Sequence, residues 1–281
     1  ATMPVNNMIA DQADEMRQWR HFLHTHPELA FEEHHTADFI ASKLTEFGIE
    51  VHRGMAKTGV IGVIRGKSGG KSGSKSVGGR TIGLRADMDA LPIIEENNFA
   101  HKSETDGVMH ACGHDGHTTM LLGAAKYLAE TRNFDGALVV IFQPAEEGGG
   151  GAREMCEDDM MARWNIQEVY GMHNWPGEPA GNFYIRPGPF FAATDQFDIT
   201  VEGCGGHAAK PQQTVDPTVA ASQMVLSLQS VVSRNADPVQ QMVISVTAFE
   251  TASKAYNVIP ASVHLRGTIR TMSAEMRTLA K

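Results

Sequence analysis

Apolar residues along the first two-thirds of the chain follow two different spacings. Intervals of three and four residues, typical of amphipathic helices, predict helices at residues 9–23, 33–47, 117–130 and 152–164. Short and nearly continuous apolar runs, typical of buried strands, predict strands at residues 59–64, 81–87, 137–143 and 168–173. Strands that alternate with helices indicate an α/β fold with a largely parallel sheet.

The pattern changes after about residue 193. Alternation of apolar and polar residues predicts strands at residues 197–203, 242–250 and 262–271. Asp216 is suited to cap a helix that has Pro217 at its first position, and Ser273 is suited to begin another. The resulting β-α-β-β-α order is one strand short of a four-stranded ferredoxin-like unit. We therefore expect two domains, residues 1–193 and a truncated domain at residues 194–281.

Composition excludes several classes of protein. The 24 Lys and Arg against 33 Asp and Glu give a formal charge of −9 without a basic stripe, which argues against a nucleic-acid partner. No apolar stretch approaches the ~18–20 residues that a membrane span needs, so we expect no membrane association. Three cysteines do not make a disulfide framework and indicate a reducing compartment, so the expected location is cytoplasmic.

Residues 65–80 are rich in glycine, serine and basic residues and contain the triplet GKS twice. The triplets suggest a phosphate-binding loop, but the full spacing G-x-x-x-x-G-K-[ST] is absent. We expect a solvated hairpin loop there.

Three segments with metal-binding side chains lie at or just beyond predicted strand ends. They are HACGHDGH at residues 110–117, QPAEEGGGG at residues 143–151 and GMHNWPG at residues 171–177. Because ligands of open α/β sheets gather at the carboxyl ends of strands, these segments are expected to meet. A thiolate, an imidazole and a carboxylate together suit zinc or a similar divalent metal better than magnesium or calcium.

The individual residues of these segments also have ordinary interpretations. Cys112 alone would be a small buried apolar residue, and His114 alone a satisfied histidine, but such a dense polar cluster would build a poor core. The neighbours Glu146 and Glu147 repel each other unless a cation or proton intervenes. One of them could bind metal while the other moves the proton of a metal-activated water.

A pair of aspartates follows the predicted strand at residues 81–87. Asp87 and Asp89 lie on the same face of an extended segment, where either could orient an imidazole ligand. A simple turn before Pro92 is the alternative.

Eight motifs in order, from about residue 16 to residue 281, resemble the aminoacylase-type metallopeptidase family. They are LHTHPEL, FEE, RADMDALP, HACGHDGH, FQPAEEGGGGAREM, GMHNWPG, GGHAAKP and AYNVIP. The most similar branch holds the amidohydrolases, including hippurate hydrolase, N-acyl-amino-acid amidohydrolases and indole-acetyl-amino-acid hydrolases. The resemblance implies an α/β, zinc-peptidase-like catalytic domain with an inserted ferredoxin-like α+β lid domain. Such lids commonly mediate dimerisation, so we expect a homodimer or homotetramer.

The resemblance also implies roles for individual residues. Glu146 matches the general base, Asp89 the supporting acid, and His207 the lid histidine that reaches the substrate or its oxyanion. Asn257 and Arg270 could hold a substrate carboxylate, although Arg270 could equally be a solvated strand residue. Asp87 stands where other branches have a ligand histidine and is not counted as a ligand. The positions that match ligands of two divalent ions, such as zinc, manganese, cobalt or nickel, are Cys112, His114, Glu147 and His173.

The implied function is hydrolysis of the amide bond of N-acyl amino acids, with hippurate-like small molecules as substrates and Glu146 as base. A dipeptidase or carboxypeptidase on the same scaffold is one alternative. A non-catalytic metal-binding protein or an inactive fragment is another, because branch members carry a further ligand histidine and a closing segment after the lid. We therefore expect either that the chain is a fragment or that the intact protein continues beyond residue 281.

Overall fold

The computed structural model describes residues 6–67 and 79–281, so most of the predicted glycine-rich loop lies outside the described residues. Contacts between Cα atoms divide the chain into two compact units, Ala1–Gly181 and Asn182–Lys281. This division falls twelve residues ahead of the domain boundary proposed from sequence. Among the described residues, no helix is long and apolar enough to cross a membrane.

The first unit contains a five-stranded sheet and helices. Its helices are α1 (Asn7–Ala10), α2 (Ala13–Thr25), α3 (His34–Glu46), α4 (His114–Thr131), α5 (Gly151–Glu157) and α6 (Met160–Arg163). Its strands are β1 (Glu50–Met55), β2 (Gly59–Arg65), β3 (Thr81–Asp87), β4 (Ala137–Gln143) and β5 (Glu168–Gly171). The helices predicted at residues 9–23 and 152–164 are each split in two. The second one breaks next to Asp159, whose φ of 65° is incompatible with a continuing helix.

The sheet of the first unit has the strand order β1-β2-β4-β3-β5. Strand β3 is parallel to both β4 and β5, whereas β1–β2 and β2–β4 are antiparallel. The prediction of a largely parallel sheet therefore holds for β3, β4 and β5 and is wrong for β2, which is antiparallel both to β4 and to the unpredicted β1, with which it forms a hairpin. Strands β3, β4 and β5 end at the same edge, which brings the segments that follow them together.

Strand β4 runs through the core and is covered on both faces. Its residues Val140 and Phe142 belong to a cluster with Leu44 of α3 and Leu122 of α4. The alternate residues of the strand, Val139 and Ile141, belong to a second cluster that includes Met155 of α5. Burial on both faces explains the continuous apolar run, and it makes β4 a rigid base for the segment that follows it.

The second unit contains a three-stranded antiparallel sheet with the order β6-β10-β8 and a small two-stranded ladder of β7 and β9. Its strands and α-helices are β6 (Ala193–Glu202), β7 (Gly206–His207), α7 (Pro217–Ser230), β8 (Met242–Thr251), β9 (Val258–Ile259), β10 (Ser262–Thr271) and α8 (Ala274–Ala280). A 3-10 turn at Pro211–Gln213 precedes α7, and a π-helical turn at Val231–Asn235 follows it. The predicted helix caps are present, since the Asp216 side chain accepts from Thr218 N at 2.8 Å and Ser273 Oγ accepts from Met276 N at 3.3 Å. The main elements follow the predicted β-α-β-β-α order.

Candidate active site

The segments that follow β3, β4 and β5 bring together a dense group of ligand atoms in the first unit. Two groups of three residues each place their ligand atoms within 4.8 Å of one another. The first group is Cys112, His114 and His173, and the second is His114, Glu146 and Glu147. Cys112 Sγ is 3.3 Å from His173 Nε2. The five side chains predicted for the metal ligands and the general base are therefore neighbours.

His114 is the first residue of α4, and its side chain is fully buried. Its Nδ1 lies 3.1 Å from Asp89 Oδ1, so the imidazole is oriented by the carboxylate predicted to support it. Its Nε2 has no hydrogen-bond partner in the described part of the chain. Carboxylate oxygens of three residues surround that atom at 3.7–4.0 Å, namely those of Asp87, Glu146 and Glu147.

The electrostatic surroundings of His114 favour a positive charge. Burial lowers the pKa of His114, but the hydrogen bond to Asp89, the nearby Cys112 thiol and the charge of Asp87 outweigh it and raise the pKa to about 11. A divalent cation could supply this positive charge in place of a proton. The unpartnered Nε2, the surrounding carboxylates and the thiol therefore form a donor set that fits a metal of the zinc type.

Glu146 differs from its neighbour Glu147 in exposure. The Glu146 side chain is 42% exposed, compared with 24% for Glu147, so it can be reached from solvent. Partial burial raises the pKa of Glu146, and the negative charges of Asp87 and Glu147 raise it further. An accessible carboxylate with a raised pKa is a better proton acceptor than an ordinary carboxylate and can return the proton.

A buried pair beside these ligands joins Asp87, predicted as a possible partner of an imidazole, to His117, which the sequence did not assign. His117 Nδ1 lies 2.6 Å from Asp87 Oδ1, and the Asn174 backbone N–H donates to His117 Nε2 at 3.0 Å. Although burial raises the pKa of Asp87, His117 and Arg85 hold it well below its usual range. The pair joins the end of β3 to α4 and to the segment that carries His173. The sequence signal for His117 is its three-residue spacing from His114 on α4, which places the two on one helix face.

Asp115 is a second buried group that the sequence did not single out for a role. His24 Nδ1 lies 3.0 Å and Arg20 Nε 3.2 Å from Asp115 Oδ2, while His24 Nε2 lies 3.1 Å from Glu95 Oε1. Burial raises the pKa of Asp115, yet the hydrogen bond from His24 and the nearby cations lower it to about 2. These contacts fix the first turn of α4, in which His114 lies.

The three predicted lid residues belong to the second unit. His207 is in β7, and its register partner Val258 in β9 directly follows Asn257. The backbone carbonyl of Asn257 accepts from the N–H of Ala208 at 2.9 Å, so His207 and Asn257 are neighbours. Arg270 is in β10, where its guanidinium donates to Thr268 Oγ1.

Comparison with known proteins gives a consistent set of relatives. The model of peptidase family M20/M25/M40 matches residues 83–272. A hippurate hydrolase of Campylobacter jejuni is 46% identical over 97% of this chain and 68% of its own length. A thermostable carboxypeptidase of Saccharolobus solfataricus is 39% identical over 99% of this chain and 68% of its own length. The crystal structure of the Bacillus subtilis YXEP protein, a dinuclear metal-binding peptidase, has a TM-score of 0.72 at 35% identity and covers 96% of this chain and 70% of that one.

Proposed function

The chain belongs to peptidase family M20/M25/M40, and we propose that it is a metal-dependent hydrolase that cleaves the amide bond of N-acyl amino acids. Family membership and the α/β fold agree with the predictions from sequence. The observation that carries the proposal is the buried, unpartnered Nε2 of His114 among three carboxylates, next to the accessible Glu146. The similarity to a hippurate hydrolase supports small N-acyl amino acids as the substrates.

In this proposal Cys112, His114, Glu147 and His173 hold two divalent ions, and zinc, manganese, cobalt and nickel are all compatible with these donors. Bound there, the ions supply Lewis acidity, which polarises a carbonyl and makes water easier to deprotonate. Asp89 holds the His114 ring in the orientation that points Nε2 into the site.

Glu146 carries the proton transfers of the reaction. It accepts a proton from the water that attacks the amide carbon, and it returns the proton to the nitrogen as the C–N bond breaks. Its raised pKa supports both steps, because a carboxylate with a pKa nearer to neutral is a stronger base and can still release the proton. The products are a carboxylic acid and a free amino acid.

The residues of the second unit take supporting roles in this proposal. His207 stabilises the developing oxyanion, and Asn257 and Arg270 bind the substrate carboxylate. The backbone contact between these two segments, which brings His207 and Asn257 into one small ladder of the second unit, supports a common role for them. We also propose that residues 194–281 form the lid domain through which subunits assemble into a homodimer or homotetramer.

Replacement of Glu146 by Gln tests the proposal. Because Gln keeps the size but cannot accept the proton, kcat for N-acetyl and N-benzoyl amino acids should fall about 10²- to 10⁴-fold. Metal content, measured by plasma mass spectrometry, should not change. Glu157→Gln, on the exposed surface of α5, is the matched control and should retain parental activity. Parental turnover by Glu146→Gln with unchanged metal content would contradict the proposed function.

A carboxypeptidase activity is the second candidate, because the similarity to a thermostable carboxypeptidase covers nearly the whole chain. The same assay separates the two functions when N-acyl amino acids are compared with free-amine dipeptides and longer peptides. Faster cleavage of the peptides would favour the carboxypeptidase.

A further inference from the structure

The backbone N–H groups of the residues before and after Glu146 are held by two buried carboxylates. The N–H of Ala145 donates to Glu33 Oε1 at 2.9 Å, and the N–H of Glu147 donates to Asp89 Oδ2 at 2.9 Å. Each acceptor comes from a different part of the chain, Glu33 from the start of α3 and Asp89 from the segment after β3. The backbone that carries Glu146 is therefore anchored on both sides.

Glu33 makes this anchor a rigid one. Its side chain is completely buried, and its other carboxylate oxygen accepts a hydrogen bond from the hydroxyl of Thr58, in the turn between β1 and β2. Burial raises the pKa of Glu33, and the hydrogen bonds from Thr58 and from backbone N–H groups oppose that rise. One carboxylate thus ties three separate segments together.

The anchored backbone has an unfavourable conformation. Ala145 has a φ of 52°, in the left-handed region that residues with a Cβ atom avoid, and it is fully buried. The segment returns on itself, since the N–H of Gly151 donates to the carbonyl of Ala145 at 3.1 Å. A Cβ atom at Gly149 would lie 2.6 Å from the Cβ of Ala145 and 3.0 Å from the Phe31 ring, so the turn is tightly packed. A conformation of this kind persists only where its surroundings hold it.

We propose that Glu33 is a positioning residue that holds the backbone at Ala145 while Asp89 holds it at Glu147, and that the two together aim the carboxylate of Glu146 between them. The inference rests on the proposed function, in which Glu146 transfers the proton. Glu33 belongs to none of the metal-ligand groups found among the described residues. Its loss should therefore change the direction of Glu146 while the ligands keep their metal.

Three substitutions test this role. Glu33→Met keeps the bulk but leaves the Ala145 N–H without an acceptor. Glu33→Gln keeps a carbonyl oxygen for that N–H and offers an amide N–H to Thr58. Thr58→Val, a buried replacement of similar shape, removes the other partner and leaves the bond to Ala145 in place, so it is the matched control.

Steady-state kinetics and hydrogen exchange give independent results for these variants. For Glu33→Met we expect kcat to fall about 10- to 100-fold, the loss that a misplacement of about 1 Å can cause, with KM and metal content unchanged. Exchange of the backbone N–H groups at residues 144–151, followed by mass spectrometry, should be faster in this variant. Glu33→Gln should restore both properties, and Thr58→Val, which loosens Glu33 but keeps its bond to Ala145, should change both much less than Glu33→Met does.

Unchanged kcat and unchanged exchange in Glu33→Met would overturn the proposal, as would a loss that appears only in KM or in metal content. If Glu33→Met does not fold, Glu33→Asp replaces it. Its carboxylate is one methylene too short to reach both partners, and parental kcat and exchange in that variant would equally overturn the proposal. Failure of the proposed function is recognised separately, because the Glu146→Gln assay decides it and the exchange measurement does not depend on turnover.

Discussion

At the scale of single residues, Asp89 has two tasks that require a carboxylate. One oxygen lies 3.1 Å from His114 Nδ1, and the other accepts from the N–H of Glu147 at 2.9 Å. Both partners present an N–H, so both oxygens must be acceptors. An asparagine could satisfy one of them, but its NH₂ group would then face the other donor.

We expect Asp89→Asn to weaken metal binding about 10- to 100-fold, the usual loss when the partner of a ligand histidine is removed. Competition with a chromogenic chelator measures the affinity directly. Asp106→Asn, at an exposed position in the segment between β3 and α4, is the control and should bind metal like the parent protein. Equal metal affinities of Asp89→Asn and the parent would show that Asp89 does not support the site.

At the scale of elements, the success of prediction depends on how completely an element is buried. Strands β3, β4 and β10 begin and end where the apolar pattern places them, because their alternating or continuous burial leaves a clear signal. Strand β1 was not predicted. It is an edge strand in which only Met55 is buried, and a register shift between Arg53 and Met55 interrupts its pairing. The arrangement of the sheet depends on which strands pair, which the pattern of a single strand does not determine.

The contact between β2 and its neighbours leaves no room for a side chain at Gly62. A Cβ atom there would lie 2.7 Å from Val140 Cγ2 and 3.1 Å from both Ile49 Cγ2 and Leu44 Cδ1. We expect Gly62→Ala to lower the free energy of unfolding by about 1–3 kcal/mol, as overpacking of a close-packed core does. Chemical denaturation monitored by circular dichroism measures this change.

Gly171→Ala, in β5, is the matched control for Gly62→Ala. A Cβ atom at this position meets its nearest neighbours at an ordinary distance of 3.5 Å. Gly171→Ala should therefore change the free energy of unfolding much less than Gly62→Ala does. Equal destabilisation by the two substitutions would mean that the loss of strand glycine, and not the crowding around β2, is responsible.

At the scale of the whole molecule, the sequence predicted the metal-binding and catalytic side chains of the site but only some of the residues that hold them in place. The rule that strand ends meet at one edge was enough to bring Glu147 and His173 together, whereas Cys112 lies 25 residues beyond the end of β3, just before α4. The contacts of Glu33 with Ala145 and of Asp87 with His117 were not predictable in this way. They join buried groups up to 112 residues apart in sequence, and the packing of whole elements determines which groups meet.

The concentration of negative charge around His114 gives a final prediction about metal binding. Without a cation, the carboxylates of Asp87, Glu146 and Glu147 all lie within about 4 Å of one buried imidazole. A divalent ion bound there should therefore stabilise the folded state, by about 2.7 kcal/mol at a free concentration 100 times the dissociation constant. The midpoint of thermal unfolding should rise on addition of zinc or manganese and fall again with a chelator.

The stabilisation should be local, because the four candidate ligands belong to the first unit. Hydrogen exchange should slow at residues 110–117, 143–151 and 171–177 when metal is added, and it should change little at residues 242–271 of the second unit. Cys112→Ala removes one ligand and should reduce both the thermal shift and the protection. A shift that survives this substitution in full, or protection centred on the second unit, would place the metal elsewhere in the protein.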